Sequence, residues 1–373
     1  VPKSGIVGLP NVGKSTLFNA LIKNYAAKAE NFAFCTIEPN IGIVEVLDHR
    51  LNVLSEIFDS KKTVPSIFEF VDIAGLVKGA SEGQGLGNKF LSHIREVDSI
   101  VHVLRCFEDQ DIEHVENSVD PIRDLETILL ELRLADLSVL QKRKEKLKKQ
   151  IKTKSNQEQK KLSEELEIIE KTSQSLESLQ FITLSPKEIL LIKHLNLLSF
   201  KPFLIVANLK EEELANPQGN SHYQRVLAYL LDLKDKRDLK IPVVPISAQI
   251  EADLFDLKPE EAKEYLVDLG IESSGVPKLI KACFDQLDLM YFFTAGEKET
   301  KAWTIKKNST ASEAAGEIHT DFQKGFIKAE VVSFEDLATL KSKAVAKEKG
   351  KLRLEGKEYL VKDGDIIEFK FNL

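Results

Sequence analysis

The run Gly8-Leu9-Pro10-Asn11-Val12-Gly13-Lys14-Ser15 has the composition of a loop that wraps phosphate oxygens. Glycines let backbone N–H groups close around an anion, and the start of a following helix adds a favourable field. Lys14 is placed to neutralise the β- and γ-phosphates, and Ser15 to ligate Mg²⁺. Asn11, Val12, Gly13 and Thr16 complete the cradle. The apolar Gly5-Ile6-Val7 precedes the loop, and the helical pattern Leu17-Phe18-Asn19-Ala20-Leu21 follows it. That strand–loop–helix context is what turns such a motif into a site. The chemistry it points to is binding of a nucleoside triphosphate.

Downstream residues fit the same chemistry. Asp72-Ile73-Ala74-Gly75 follows the apolar run Ile67–Val71. An aspartate at a strand end can hold Mg²⁺ through water, and the Gly75 N–H can approach a γ-phosphate without a side-chain clash. Alone, Asp-x-x-Gly is often only a turn. Thr36, in Phe34-Cys35-Thr36-Ile37, is the candidate switch threonine, its hydroxyl completing the metal shell when the γ-phosphate is present. A capping or strand role for Thr36 is the alternative. Leu76 stands where a Ras-like protein carries the glutamine that orients the attacking water. Leucine cannot hydrogen-bond water, so that role falls elsewhere or turnover is slow. Gly79, Gly83, Gly85 and Gly87 make the next loop glycine-rich and able to close over a nucleotide.

Asn208-Leu209-Lys210-Glu211 occupies the place of Asn-Lys-x-Asp, the guanine-reading motif. In that motif the aspartate accepts from guanine N1–H and the 2-amino group. Adenine offers neither donor, and its N1 is an acceptor. Glu211 is one methylene longer and need not reach the same point. Leu209 offers an apolar surface for a purine face. Asn208 can still bond N7, common to both purines, and a backbone carbonyl nearby can accept the adenine 6-amino group. Ile246-Ser247-Ala248 resembles the remaining base loop. An ordinary polar loop at 208–211 is the competing description.

These residues need a scaffold that gathers them. Runs at 41–46, 67–71, 100–104, 203–207 and 242–246 read as strands alternating with helical patterns. Several are nearly continuous apolar runs, as in central strands covered on both faces. The alternation predicts an α/β fold with a mainly parallel, doubly wound sheet. One interval breaks the rhythm. Leu125, Ile128, Leu132, Ala135 and Val139 recur at steps of three and four, followed by Leu140, Leu147 and Ile151. After a polar stretch, Lys152–Gln159, the pattern resumes at Leu162, Leu166, Ile169, Ser173 and Leu176. This predicts an antiparallel helical hairpin of coiled-coil type inserted within the nucleotide-binding domain. Beyond residue 288, candidate strands at 291–293, 303–305, 327–332, 359–361 and 366–371 and a short helix at 312–319 predict a compact α+β domain. The expected division is 1–122 with 201–287, 123–200, and 288–373.

The 373 residues suit two or three domains, since about 100–200 residues per domain is usual. A hydrophobic content of 43% is ample for a core. No apolar run reaches the roughly 20 residues that span a bilayer. A strand beginning at Gly5 is expected to leave no room for a signal peptide. Cys35, Cys106 and Cys283 show no disulfide or metal spacing, so a reducing cytoplasm is expected. The net charge of −7 argues against a generally basic nucleic-acid binder. It hides a contrast: residues 142–161 hold ten Lys or Arg against only Glu145 and Glu158. Such a run is often a solvated helix face, but it can also meet phosphates.

Taken together, these strings resemble the YchF/Obg-like ATPase family over nearly the whole chain. The resemblance rests on Gly8–Thr16, Asn31–Asn40, Asp72–Ala80, Asn208–Glu211 and Ser247-Ala248, with Thr294–Glu299 and His319–Phe322 in the carboxy-terminal region. It implies a G-type P-loop domain with a coiled-coil insertion, and a TGS domain of β-grasp type. It implies hydrolysis of ATP in preference to GTP, with Mg²⁺, as a nucleotide-dependent switch in translation or stress response. It also implies ribosome association, with rRNA contacts through the basic hairpin. The family's proposed substitute for the missing glutamine is a histidine, matched here by His114 in Asp111-Ile112-Glu113-His114-Val115. Imidazole can orient or deprotonate water near neutral pH. Read without the resemblance, His114 is a surface or packing histidine, and His93 and His102 are a helix-surface and a strand-packing residue. A monomer is expected. The alternatives are a GTPase of the same architecture and a nucleotide-gated scaffold with negligible hydrolysis.

Overall fold

A computed structural model of the protein describes residues 1–26, 40–73, 86–109, 114, 118–153, 155–178, 184–237 and 241–372. Strands β1 (Lys3–Val7), β2 (Ile41–Val46), β3 (Thr63–Val64), β4 (Ser66–Asp72), β5 (Ser99–Arg105), β6 (Phe203–Asn208) and β7 (Val243–Ile246) come first in the chain. Among them run helices α1 (Lys14–Ala26), α2 (His49–Ile57), α3 (Leu86–Glu96), α4 (Pro121–Ile151), α5 (Asn156–Glu177), α6 (Pro186–Ile192), α7 (Glu211–Leu214) and α8 (Ser221–Arg237). Helices α9 (Ala248–Phe255), α10 (Pro259–Asp268) and α11 (Gly275–Gln286) follow. The chain divides into two compact units, one of Lys3–Gly42 with Phe70–Leu279, the other of Val1–Pro2, Ile43–Glu69 and Ile280–Leu373.

A six-stranded sheet runs in the order β2-β4-β1-β5-β6-β7. The pairs β1–β5, β5–β6 and β6–β7 are parallel. All of β5 and β6 and all but the first residue of β1 are buried, whereas β2 and β4 alternate. A central strand covered by helices on both faces must be apolar throughout, which is why these segments read as continuous hydrophobic runs. The register aligns Arg105 with Asn208 and Asn208 with Ile246. The carboxyl ends of these strands therefore share one edge of the sheet, where ligands of open α/β sheets bind.

The helical insertion is the 31-residue α4 and the 22-residue α5. Asp120 caps α4, accepting from the N–H groups of Ile122 and Arg123, and Pro121 at the first position fits a place where no N–H is needed. Leu140 and Leu147 pack with Ile168, Ile169 and Leu176 along the seam. Arg143 grips Glu165 through two bonds of 2.7 and 2.8 Å. At the base, the buried Asp136 carboxylate accepts from Leu198 N, Ser199 N and Ser199 Oγ. The second helix starts at Asn156, earlier than the polar stretch to Gln159 suggests, because Ser155 takes the N-cap position in extended conformation.

The other unit holds a sheet in the order β11-β10-β12-β8-β9-β3, with β8 (Leu289–Ala295), β9 (Thr300–Lys306), β10 (Phe326–Ser333), β11 (Arg353–Glu355) and β12 (Asp365–Phe371). Helices α12 (Ala311–Ile318), α13 (Thr320–Lys324), α14 (Phe334–Leu340) and α15 (Lys343–Glu348) complete this β-grasp unit. Successive strand residues point to opposite faces, and here both faces are covered. Phe292, Val331 and Ile367 join the core under Ala311, Ala314 and Ala315 of α12. Phe293, Val332 and Ile366 join Leu51 and Leu54 of α2 and Leu337 of α14. The short β3 pairs in parallel with β9, Thr63 opposite Thr300. The strand expected at 359–361 is reduced to a single bridge between Leu360 and Thr310. The three-residue β11 has one apolar residue, Leu354, and no alternation to mark it.

His102 lies in the middle of β5, fully buried and edge-on to the Phe203 ring at 5.2 Å. Neither ring nitrogen has a hydrogen-bond partner among the described residues. Burial alone pushes its pKa down to about 3, so the folded protein keeps it neutral. The unfolded chain takes up a proton below its ordinary value of 6.5, which the folded chain refuses. Stability is therefore drained as pH falls from 6.5, by about 2 kcal/mol at pH 5 from this residue. Urea denaturation of His102→Leu beside the wild type, at pH 7.5 and pH 5, should show the variant losing less stability on acidification by that margin. Equal losses would mean that His102 finds a proton partner in the folded state.

Candidate functional site

The phosphate loop leaves β1 at Val7 and closes into α1 at Lys14. Asn11 and Gly13 both have positive φ, 64° and 92°. Asparagine tolerates that region better than most residues, and glycine occupies it freely. Gly13 has a second reason to be glycine, since a Cβ there would lie 2.1 Å from Asn208 Nδ2. The first helical bond, Leu17 N to Gly13 O at 3.0 Å, fixes the loop to α1.

Asn208 comes from the far end of β6 and its side chain joins two loops. Its Nδ2 donates to Val12 O at 2.9 Å, and its Oδ1 accepts from Ala248 N at 3.0 Å. Its own carbonyl accepts from Cys106 N, and Leu209 N donates to Ile246 O. Ser247, buried, caps α9. The structure thus brings Val12, Gly13, Asn208, Leu209, Ser247 and Ala248 together. Leu209 is only 2% exposed, so the apolar surface expected to meet a purine is enclosed by protein. Glu211, half-buried, is the first residue of α7.

Asp72, at the end of β4, lies beside the phosphate loop. Asp72 N donates to Asn40 O, and Ile73 N donates to Ile6 O at 3.2 Å. The Lys14 ammonium contacts Asp72 Oδ1, both side chains being largely covered. A cation thus already sits on this carboxylate. With the exposed hydroxyl of Ser15, the donors here are hard oxygens, the set that suits Mg²⁺. The half-buried Thr16 follows in the first turn of α1. Thr36 and Gly75, with Cys35 and Leu76, lie outside the described residues.

His114 is buried, 7% exposed, with Nε2 at 2.8 Å from Asp124 Oδ2 in the first turn of α4. Asp124 also accepts from the Arg123 guanidinium. His114 is joined to the helical insertion by this bond. Cys106 is a buried thiol pushed up to about 12 by burial, with the charges of Glu213 and Asp124 adding, so it is no nucleophile at neutral pH.

Two groups of supporting residues have no motif. Arg105, fully buried at the end of β5, donates to Phe107 O and Asp109 O and lies over the Phe107 ring. Asn220, before α8, donates to Cys106 O and to Glu213 Oε1, both at 2.8 Å. An asparagine preceding a helical pattern signals an N-cap, and Asn220 Oδ1 does accept from Tyr223 N. Nothing local signals the link to Cys106, 114 positions away in the chain.

Residues 289–372 match the family model YchF-GTPase_C, described as a protein of unknown function (DUF933), and residues 3–163 match one described as 50S ribosome-binding GTPase. The chain is 50% identical over 373 residues to the ribosome-binding ATPase YchF of Bacillus subtilis (strain 168), covering 99% of each. It is 46% identical over 374 residues to the ribosome-binding ATPase YchF of Escherichia coli O157:H7, covering 100% of this chain and 99% of the other. The structure of the Schizosaccharomyces pombe YchF GTPase superposes with a TM-score of 0.88 at 39% identity, covering 99% of this chain and 97% of that one. Likeness of this extent, end to end and in both sequence and fold, makes the chain a member of the YchF family.

Proposed function

We propose that this protein is a cytoplasmic, ribosome-associated ATPase that binds ATP with Mg²⁺ and hydrolyses it to ADP and phosphate as a slow switch. The observation that carries the reading is the join between the phosphate loop and the base loop through Asn208, ending in Glu211 in place of a guanine-reading aspartate. Relatives named ribosome-binding ATPases match the whole length. A GTPase is the second reading, because the fission-yeast relative and the matched amino-terminal family model are both described as GTPases. Calorimetric titration with ATP and GTP separates the two. ATP should bind at least tenfold more tightly, and a tenfold preference for GTP overturns the base assignment.

In this reading the Lys14 ammonium exchanges Asp72 for the β- and γ-phosphate oxygens when the triphosphate enters. Ser15 and Asp72 are then the residues that hold Mg²⁺, with Thr36 joining them. The metal neutralises phosphate charge when bound. Gly75 offers its N–H to the γ-phosphate, so Thr36 and Gly75 sense whether that phosphate is present. His114 takes the role of orienting water. Its Nε2 is engaged by Asp124, which orients the imidazole ring. Single-turnover hydrolysis, with and without ribosomes, should fall to background in Lys14→Ala and by about 10²–10⁴-fold in His114→Ala. Wild type no faster than Lys14→Ala under both conditions would leave a nucleotide-gated scaffold.

The hairpin supplies the ribosome contact. Arg143, Lys144 and Lys148 are paired with Glu165 and Glu170. Lys142, Lys146, Lys149, Lys152, Lys160 and Lys161 are exposed around the tip. Phosphate contacts of this kind release counterions and weaken with salt. None of the described helices is long and apolar enough to cross a membrane, and the protein is assigned as a monomer. Replacing Lys146, Lys149 and Lys152 together with alanine should reduce co-sedimentation with ribosomal subunits. It should also flatten the salt dependence by about 0.7–0.9 in log–log slope per lost phosphate contact. ATP affinity should not change. Unaltered co-sedimentation would move the contact off the hairpin.

A further inference from the structure

The backbone N–H groups of Leu209 and Lys210 in the base loop both have partners, and the second of them leads to one buried side chain. Leu209 N donates to Ile246 O at 2.8 Å. Lys210 N donates to Glu213 Oε2 at 3.1 Å. Glu213 Oε1 in turn accepts from Asn220 Nδ2, which also donates to Cys106 O. Cys106 N closes the ring by donating to Asn208 O at 2.9 Å. Asn220 is 7% exposed, and the Cys106 residue it binds is fully buried. Both protons of the Asn220 amide are therefore spent holding the start of α7 against the end of β5.

We propose that Asn220 is a positioning residue for base recognition, setting where residues 209–211 stand relative to the purine edge. The inference rests on the nucleotide reading above and deepens it to specificity. ATP and GTP differ only on the base edge, and a backbone acceptor for the adenine 6-amino group discriminates only if the loop carrying it is held still. A site built to meet a polar group rejects the wrong analogue far better than an apolar pocket does, provided that its groups are fixed. Glu213 alone cannot fix the loop, because its carboxylate ends a side chain with three rotatable bonds. Asn220 locks that carboxylate from the opposite side, and its Oδ1 is itself held by Tyr223 N at 2.8 Å.

The substitution Asn220→Asp separates this role from capping. A carboxylate still accepts from Tyr223 N, so α8 keeps its cap. It loses both donors and turns negative charge toward Cys106 O and Glu213. Adding Glu213→Gln restores a donor–acceptor pair with its direction reversed. Titration of the full chain with ATP and GTP, with KM and kcat measured beside it, should give about a tenfold loss of ATP affinity in Asn220→Asp. The ATP preference over GTP should narrow, kcat at saturation should hold, and the double variant should recover part of the loss. Wild-type affinity and preference in Asn220→Asp overturn the inference alone. So does an equal loss for both nucleotides that the double variant does not recover, since that is the mark of a merely structural residue. Wild type that binds neither nucleotide overturns the nucleotide reading itself.

Discussion

The Asn208 side chain is the contact on which the nucleotide-binding architecture turns. One amide reaches the phosphate loop at Val12 and the base loop at Ala248. A neutral hydrogen bond is worth only about 1 kcal/mol net, but a buried amide left without partners costs about 1–3 kcal/mol. The two bonds are thus worth little as added stability and much as a constraint. They can form together only when β1, β6 and β7 stand in their observed register. Gly13 is part of the same constraint, since any side chain there would occupy the space of the Asn208 amide. Phosphate and base loops are consequently set at a fixed separation, and the nucleotide is the object that this separation measures.

The parallel sheet makes that economy available. In β1, β5, β6 and β7 the carboxyl ends emerge together, so residues about 200 positions apart in sequence become hydrogen-bonding neighbours. The insertion exploits the same edge. Its first helix begins soon after β5 and carries Asp124, which holds His114. One buried hydrogen bond therefore links the hairpin to the histidine for which water positioning is proposed.

How much of this was legible in the sequence follows from the range of each interaction. The phosphate loop, the strands of the doubly wound sheet and the helical hairpin are written in local pattern, because each is set by residues within a turn or a strand of one another. The paired apolar residues Phe292-Phe293, Val331-Val332 and Ile366-Ile367 mark a sheet buried on both faces before any partner is known. What covers one of those faces is not legible. Leu51 and Leu54 of α2 do so, and β3 pairs with β9, across separations of over 200 residues that leave no local trace. The site divides the same way. Asn208 is found by its motif, whereas the enclosure of Leu209 and the ring through Cys106, Glu213 and Asn220 depend on tertiary approach alone.

That division explains why base reading is the subtlest property of this protein to infer. Phosphate chemistry is the same for ATP and GTP, so a loop of glycines, a lysine and a serine answers for both. The base is distinguished at its edge by one or two hydrogen bonds, and the direction of each depends on which atom a loop holds still. Here Glu211, one methylene longer, stands in the place of the guanine-reading aspartate. Glu211 starts a short helix, Leu209 is enclosed, and the backbone between them is fixed through Glu213. In the proposed reading, discrimination belongs to the placement of the main chain, and placement is a property of the packed structure that no single residue in 208–211 encodes.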